Sequence, residues 1–201
     1  MLMSMKNIKI LKKESCYAGF NKINNYLFEF ESFDGKNKLT CEKEIFERKD
    51  AIAVVLYDNV NDKLLLIQQF RPGCYIKKNI DCPYEIVAGL VDKNDTMENA
   101  ITREVKEEAN VEILKILKIG SFFPEISFST REIHLFCGKF DSSNVNKYAG
   151  LKSENEETKI LLFSKDEVRS MLKNNKIINS HSLIALQWFF LNLNDVEKGF
   201  K

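Results

Sequence analysis

The stretch from Pro83 to Val111, PYEIVAGLVDKNDTMENAITREVKEEANV, constrains the fold more than any other part of the chain. Tyr84 to Ala88 is a short apolar run of the right length for a buried strand. Gly89 ends it, and Asp92-Lys93-Asn94-Asp95 is turn chemistry. Thr96 is placed to cap a helix whose first turn carries Glu98, a charge that complements the positive end of the helix dipole. Met97, Ile101 and Val105, with Ala100 and Thr102 between them, form its core-facing stripe. A strand that turns through a glycine into an amphipathic helix calls for a sheet on which that helix can lie.

The opposite face of the helix carries the chemistry. Glu104, Glu107 and Glu108 stand at i, i+3 and i+4, so three carboxylates crowd one side of one turn. Like charges at that spacing destabilise a helix by a few tenths of a kcal/mol per pair. Arg103 stands four residues before Glu107 and can hold that carboxylate. The remaining charge calls for a hard divalent cation with oxygen ligands, Mg²⁺ or Mn²⁺. In isolation, REVKEE would read as a solvated helix face; its spacing from Gly89 and Asp95 gives it more weight.

A chain of 201 residues can bury a good core as one domain with a small extension. The formal net charge of +1 gives no field for nucleic acid or an anionic membrane. The apolar run near Leu183 to Leu191 is too short to span a bilayer. The N-terminal MLMSMKNIKILKKE lacks the apolar core of a signal peptide. The five cysteines at 16, 41, 74, 82 and 137 form no C-x-x-C pair, and there are only two histidines. That argues against a zinc site or a disulfide framework and for a reducing cytoplasm.

Along the chain, residues 1–15 are basic, with a first strand possible there. Residues 26–33 alternate as a half-buried strand, and 38–46 return as a second. These make an N-terminal β unit, residues 1–48, too small for a core of its own and in need of a partner such as a second subunit. The main domain is expected over residues 49–201. Residues 50–57 and 63–70 read as apolar strands. A loop follows with Lys77 and Lys78. Strands are expected over 113–123, 131–140 and 159–163, with a polar loop over 141–157. Ser164 to Glu167 is a capping box opening a helix. Asn179-Ser180 opens a last helix that packs through Leu183, Leu186, Trp188 and Phe190. The pattern is α/β: a mixed sheet sandwiched between helices, plus the N-terminal antiparallel unit.

The spacing Gly89, five residues, Asp95, seven residues, Arg103-Glu104-Val105, one residue, Glu107-Glu108, one residue, Asn110-Val111 resembles the Nudix box, G-x5-E-x7-R-E-U-x-E-E-x-G-U, in seven of nine fixed positions. Asp95 replaces a Glu, and Asn110 replaces a Gly at a left-handed helix end that Asn also tolerates. Phe46-Glu47-Arg48, Gln69-Phe70-Arg71-Pro72, Ile133-His134-Leu135-Phe136, Glu154-Asn155-Glu156 and Ile184 to Trp188 are similar to the bacterial ADP-ribose pyrophosphatase branch of that family. The resemblance runs from about Tyr17 to Trp188. It implies the Nudix α/β/α sandwich, Mg²⁺-dependent cleavage of ADP-ribose to AMP and ribose 5-phosphate, and a homodimer that exchanges N-terminal strands. It further implies that the Ala88 carbonyl and the carboxylates of Glu104, Glu108 and Glu156 hold metal. Glu107 would assist the metal cluster, and Glu154 would be the general base. Arg71 and Leu90 would meet substrate, and Glu85 would lie near the terminal ribose. Phe20, Lys43 and Glu44 would come from the partner subunit to frame the base.

Taken one at a time, several of these positions have plainer readings. Arg71 is a turn residue, Phe20 a core residue, Glu154 to Glu157 a solvated run, and His134 and His181 structural. The loop from Pro124 to Arg131 departs from the branch. Arg131 stands where a Glu is usual, inverting the local charge at a substrate-facing position. Ser129-Thr130-Arg131 is similar to UDP-sugar and GDP-mannose pyrophosphatases, which therefore remain alternatives. A catalytically silent nucleotide-sugar-binding module is the alternative of another class.

Overall fold

Two largely apolar strands form the centre of the larger sheet. β4 (Ala51–Asp58) is buried at every residue, and β5 (Lys63–Gln69) is buried at all but its first and sixth. A strand buried on both sides cannot alternate polar with apolar, which is why these segments read as continuous apolar runs. The computed structural model describes residues 6–201; the first five residues of the expected N-terminal extension lie outside the described residues. Its larger unit comprises residues 50–122 and 133–201, and its smaller one residues 1–49 with 123–132. The sequence placed 123–132 in the main domain, but these residues hydrogen-bond to the end of the N-terminal segment. The Phe46 amide donates to the Phe128 carbonyl at 2.7 Å, and Arg48 N donates to Thr130 Oγ1 at 2.9 Å.

In the larger unit, β6 (Tyr84–Glu85) pairs with β5 and β7 (Val87–Leu90) pairs with β4. The other strands are β8 (Lys115–Phe122), β9 (Ile133–Lys139), β10 (Tyr148–Ala149) and β11 (Thr158–Ser164). The sheet order is β10-β11-β5-β4-β9-β8, with β4 and β9 parallel and the other pairs antiparallel. Both faces are covered. Ala53, Val55 and Tyr57 pack with Leu186, Phe189 and Val196 on one side. Ile52, Val54 and Leu56 pack with Ile101 and Val105 on the other. The period-two alternation of β4 thus divides its side chains between two helical layers, giving the α/β/α sandwich.

α2 (Met97–Ala109) starts at Thr96, whose hydroxyl accepts from Asn99 N, and ends at Asn110 in the left-handed conformation, φ 50°. Ala100, Ile101 and Val105 are buried as expected, whereas Thr102 is exposed and donates its hydroxyl to the Glu98 carbonyl. Burying side chains of the size of Ile101 and Val105 contributes roughly 1.5–3 kcal/mol each, which far exceeds the repulsion among the carboxylates. The segment expected as a loop with Lys77 and Lys78 is instead a short helix, α1 (Pro72–Lys78), with Pro at its start. α3 (Lys165–Lys173) opens on the expected capping box at Ser164. α4 (Ser180–Leu191) buries Ala185, Leu186 and Phe189, and α5 (Leu193–Gly199) follows it, so α4 is not the last helix. No helix among the described residues is long and apolar enough to cross a membrane.

The smaller unit is an antiparallel sheet of β1 (Lys9–Ala18), β2 (Lys22–Glu31) and β3 (Lys38–Glu47), in that order. Every residue of β1 is exposed, with Ile10, Leu11 and Tyr17 among them.

Candidate active site

The site is built where β7 meets α2. Gly89 does not end its strand; it lies inside β7, opposite Ile52. A Cβ there would lie 1.8 Å from Glu104 Cδ. Glycine is required so that the helix carboxylate can lie directly on the strand. Because the clashing atoms are the end of a flexible side chain, Gly89→Ala is expected to cost little stability but to displace the Glu104 carboxylate. The expected result is a fall of about 100-fold in hydrolysis of the wild-type substrate, measured beside an unchanged thermal midpoint.

Arg103 organises the helix face more fully than its spacing suggested. Its Nη1 donates to Glu104 Oε1 at 2.7 Å and to Glu107 Oε2 at 3.3 Å, and its Nη2 donates to the Leu90 carbonyl at 2.9 Å. Asp95 Oδ2 lies 3.9 Å from Arg103 Nε, so the shortened carboxylate still reaches the arginine. Leu90 is half-buried at the end of β7.

Glu104 and Glu108 are buried, and Glu107 is half-buried. Burial pushes the Glu104 carboxyl up from its ordinary value, against Arg103, and the charges of Glu107 and Glu156 add to the rise. Burial likewise pushes Glu108 up to about 8. There the Ala88 N–H, donating to Oε2 at 3.1 Å, and Arg71 oppose the rise, while Glu104 and Glu156 reinforce it. These carboxylates therefore lie within one another's field in a poorly solvated place. All of them are hard oxygen donors, the chemistry a divalent ion selects. Among the described residues no three Asp, Glu, His or Cys side chains converge as ligands of one ion. Each expected metal carboxylate instead has a protein donor: Glu104 has Arg103, Glu108 has the Ala88 amide, and Glu156 accepts from Gln69 Nε2 at 2.9 Å. The donor set suits Mg²⁺ or Mn²⁺ in type, with Glu104 and Glu108 buried and Glu156 exposed, and binding an ion would exchange these contacts for coordination.

Gln69 was not assigned a role from the sequence. It is a buried polar residue at the end of a core strand, and its Oε1 has no hydrogen-bond partner among the described residues. A polar side chain in an otherwise apolar run was the available signal.

The acidic loop is held by its backbone. Gly150 N donates to the Glu107 carbonyl of α2 at 2.9 Å. Gly150 has φ +117°, and a Cβ there would lie 2.3 Å from the Glu156 carbonyl oxygen. Gly150→Ala therefore meets backbone on both counts and is expected to cost about 1–3 kcal/mol, read in a urea melt, and to reduce kcat by shifting the Glu154 loop. Glu154 ends the 3-10 turn Lys152–Glu154 with its side chain exposed.

On the substrate side, Arg71 Nε donates to Glu85 Oε1 at 2.7 Å. Burial lowers the Arg71 pKa, but the charges of Glu85, Glu108 and Glu156 outweigh it and raise the value. Glu85, expected near a ribose, is 4% exposed and lies behind Arg71. His181 Nε2 lies 3.7 Å from Glu85 Oε2.

The remaining expected residues belong to the smaller unit. Phe20 is 93% exposed at the turn between β1 and β2, so it is no core residue of this chain. Lys43 and Glu44 are exposed on β3, opposite Tyr26 and Asn25. Arg131 is half-buried, and its Nε donates to the Lys49 carbonyl at 3.0 Å.

The chain is 29% identical over 201 residues to the ADP-ribose pyrophosphatase of Haemophilus influenzae, covering 98% of this chain and 93% of the relative. It is 28% identical over 188 residues to the GDP-mannose pyrophosphatase of Yersinia enterocolitica, covering 92% and 96%. A crystal structure of an ADP compounds hydrolase superposes with a TM-score of 0.75 over 96% of this chain and 97% of that one, at 17% identity, a likeness of fold. The family model of the NUDIX domain matches residues 47–189, which take in β4 through most of α4 and the carboxylates of Glu85, Glu104, Glu107, Glu108, Glu154 and Glu156, and the chain belongs to that family.

Proposed function

We propose that this protein hydrolyses the pyrophosphate bond of a nucleoside diphosphate sugar, with ADP-ribose the substrate, yielding AMP and ribose 5-phosphate. The observation that carries the reading is the mutually repelling set of buried Glu104 and Glu108 with exposed Glu156, beside Arg71. A binding module without catalysis has no need of that repulsion. Relatives named for ADP-ribose and for GDP-mannose match at nearly equal identity, so GDP-mannose is the second reading.

In this reading Glu104, Glu108 and Glu156, with the Ala88 carbonyl, hold Mg²⁺, or Mn²⁺ in its place, and Glu107 supports them. When bound, such an ion neutralises diphosphate charge and stabilises the displacement transition state. The chain supplies the rest. Arg71 donates to a phosphate oxygen, and Arg103 keeps Glu104 and Glu107 in register. Glu154, exposed on its loop, takes the proton of the attacking water as the new P–O bond forms and the bridging P–O bond breaks. Leu90 lines the site, Glu85 pairs with Arg71, and Arg131 is a proposed substrate-binding residue.

The N-terminal unit, residues 1–48, is proposed to exchange strands in a homodimer, bringing Phe20, Lys43 and Glu44 to the base of the substrate. An edge strand with every residue exposed and apolar side chains among them supports pairing with a second copy. Light scattering is expected to give twice the 23.3 kDa chain mass, and an active monomer would remove this part. Five free cysteines, with Cys137 buried, suit a reducing cytoplasm. The decisive assay offers ADP-ribose, UDP-glucose and GDP-mannose with Mg²⁺. AMP release fastest from ADP-ribose is expected; faster GMP release from GDP-mannose would replace the substrate, and no turnover of any would refute the enzyme.

A further inference from the structure

We propose that His181 is a positioning residue that holds Glu85, and through it Arg71, in the orientation that receives the substrate diphosphate. This rests on the hydrolase reading above. Glu85 divides its carboxylate: Oε1 accepts from Arg71 Nε at 2.7 Å, and Oε2 faces His181 Nε2 at 3.7 Å. With a side chain only 5% exposed, Glu85 reaches substrate through Arg71 rather than directly. Arg71 gives only its Nε to that contact, and its two terminal nitrogens have no hydrogen-bond partner among the described residues. A guanidinium pinned at Nε presents its terminal nitrogens as a fixed fork, the geometry that suits two phosphate oxygens.

The segment leading into α4 grips the same strand at neighbouring points. Ile177 bridges to Tyr84, and Ser182 Oγ accepts from Ile86 N at 3.0 Å in a fully buried position. Asn179 caps the helix by accepting from Ser182 N. His181 lies between these anchors in the chain, so its backbone is held on both sides. A residue packed behind Glu85 in this way removes rotational freedom from the group that meets substrate, and its loss appears in substrate affinity.

The test compares wild type with His181→Leu, which keeps bulk and removes the polar nitrogen facing Glu85, and His181→Gln, which returns a polar nitrogen there. Arg71→Ala and the double variant with His181→Leu complete the cycle. His181→Leu is expected to raise KM about tenfold with kcat within about twofold, and His181→Gln to return KM to within about threefold of wild type. In the Arg71→Ala background, His181→Leu should add less than about twofold to KM, because its effect passes through Arg71. A full additional factor in that background, or a fall in kcat at constant KM, would overturn the proposal. Calorimetric binding of methylene diphosphonate, which cannot be hydrolysed, reads the same contact without turnover. Should the wild type cleave no nucleotide sugar, the hydrolase reading fails. Weaker diphosphonate binding in the Leu variant, restored in the Gln variant, would still support the Arg71 arrangement. Equal binding by all three, or none by the wild type, would refute it.

Discussion

Glu108→Gln is expected to reduce hydrolysis on the order of 10³-fold while leaving the metal-free protein as stable as wild type or more so. The opposite signs have one cause. Burial pushes the Glu108 carboxyl up to about 8, so the folded metal-free protein disfavours its anionic form and holds it mostly protonated at neutral pH. Glutamine has the same shape, keeps an oxygen to accept from the Ala88 N–H, and carries no charge to desolvate. The repulsion that Glu108 shares with Glu104 and Glu156 disappears with it. What is lost is an anionic oxygen for a divalent cation. Three measurements separate the effects: product release, a thermal melt in chelator, and a second melt in Mg²⁺. Magnesium should raise the midpoint of the wild type and leave that of Glu108→Gln nearly unmoved. A variant that still gains stability from magnesium would show that the ion binds elsewhere.

Asp58→Ala is expected to destabilise the larger unit by roughly 3–5 kcal/mol, a large part of a domain's total. Asp58 is 2% exposed at the end of β4, and its carboxylate accepts five hydrogen bonds. Val60 N and Asn61 N reach Oδ1, while Asn61 Nδ2, Ser142 N and Ser142 Oγ reach Oδ2. One side chain thus closes the β4–β5 turn and ties the segment after β9 to it. Alanine leaves the three backbone donors unpaired at a place where water has little access. Burial alone would raise the carboxyl pKa, but the bonds from Ser142 and Asn61 outweigh it and hold the group well below its ordinary 3.8. The sign follows from that depression. The stabilisation is complete above the ordinary value and drains away as the pH falls below it, when the folded carboxylate is finally protonated. Urea melts at neutral pH and at progressively lower pH should show the gap between wild type and Asp58→Ala narrowing with acid. A gap independent of pH would mean that the loss comes from packing rather than from the ionised carboxylate.

Much of the site was legible in the chain because it is local. The carboxylates of α2, the Thr96 cap and the left-handed Asn110 follow from spacing along one helix, and the 3.6-residue period places them without reference to the rest of the molecule. The central strands were legible for a similar reason, since burial on both faces calls for a nearly continuous apolar run. What the sequence misread depends on neighbours distant in the chain. Gly89 seemed a strand end because glycine usually punctuates; only the approach of Glu104 from α2 shows that it is a space within the strand. Residues 123–132 seemed part of the main domain because they are flanked by its strands, yet their hydrogen bonds go to Phe46 and Arg48. Gln69, Gly150 and His181 carry no pattern of their own, and their meaning lies in Glu156, Glu107 and Glu85, between 43 and 96 positions away.

By itself, then, the sequence determined the family, the layered fold and the acidic helix face, since each is written in short-range spacing that backbone geometry converts directly into structure. Only the tertiary structure decided which carboxylates are buried, which donors hold them and which side chains stand behind Arg71. Those properties arise from desolvation and from contacts across the sheet, and neither is a function of position along the chain.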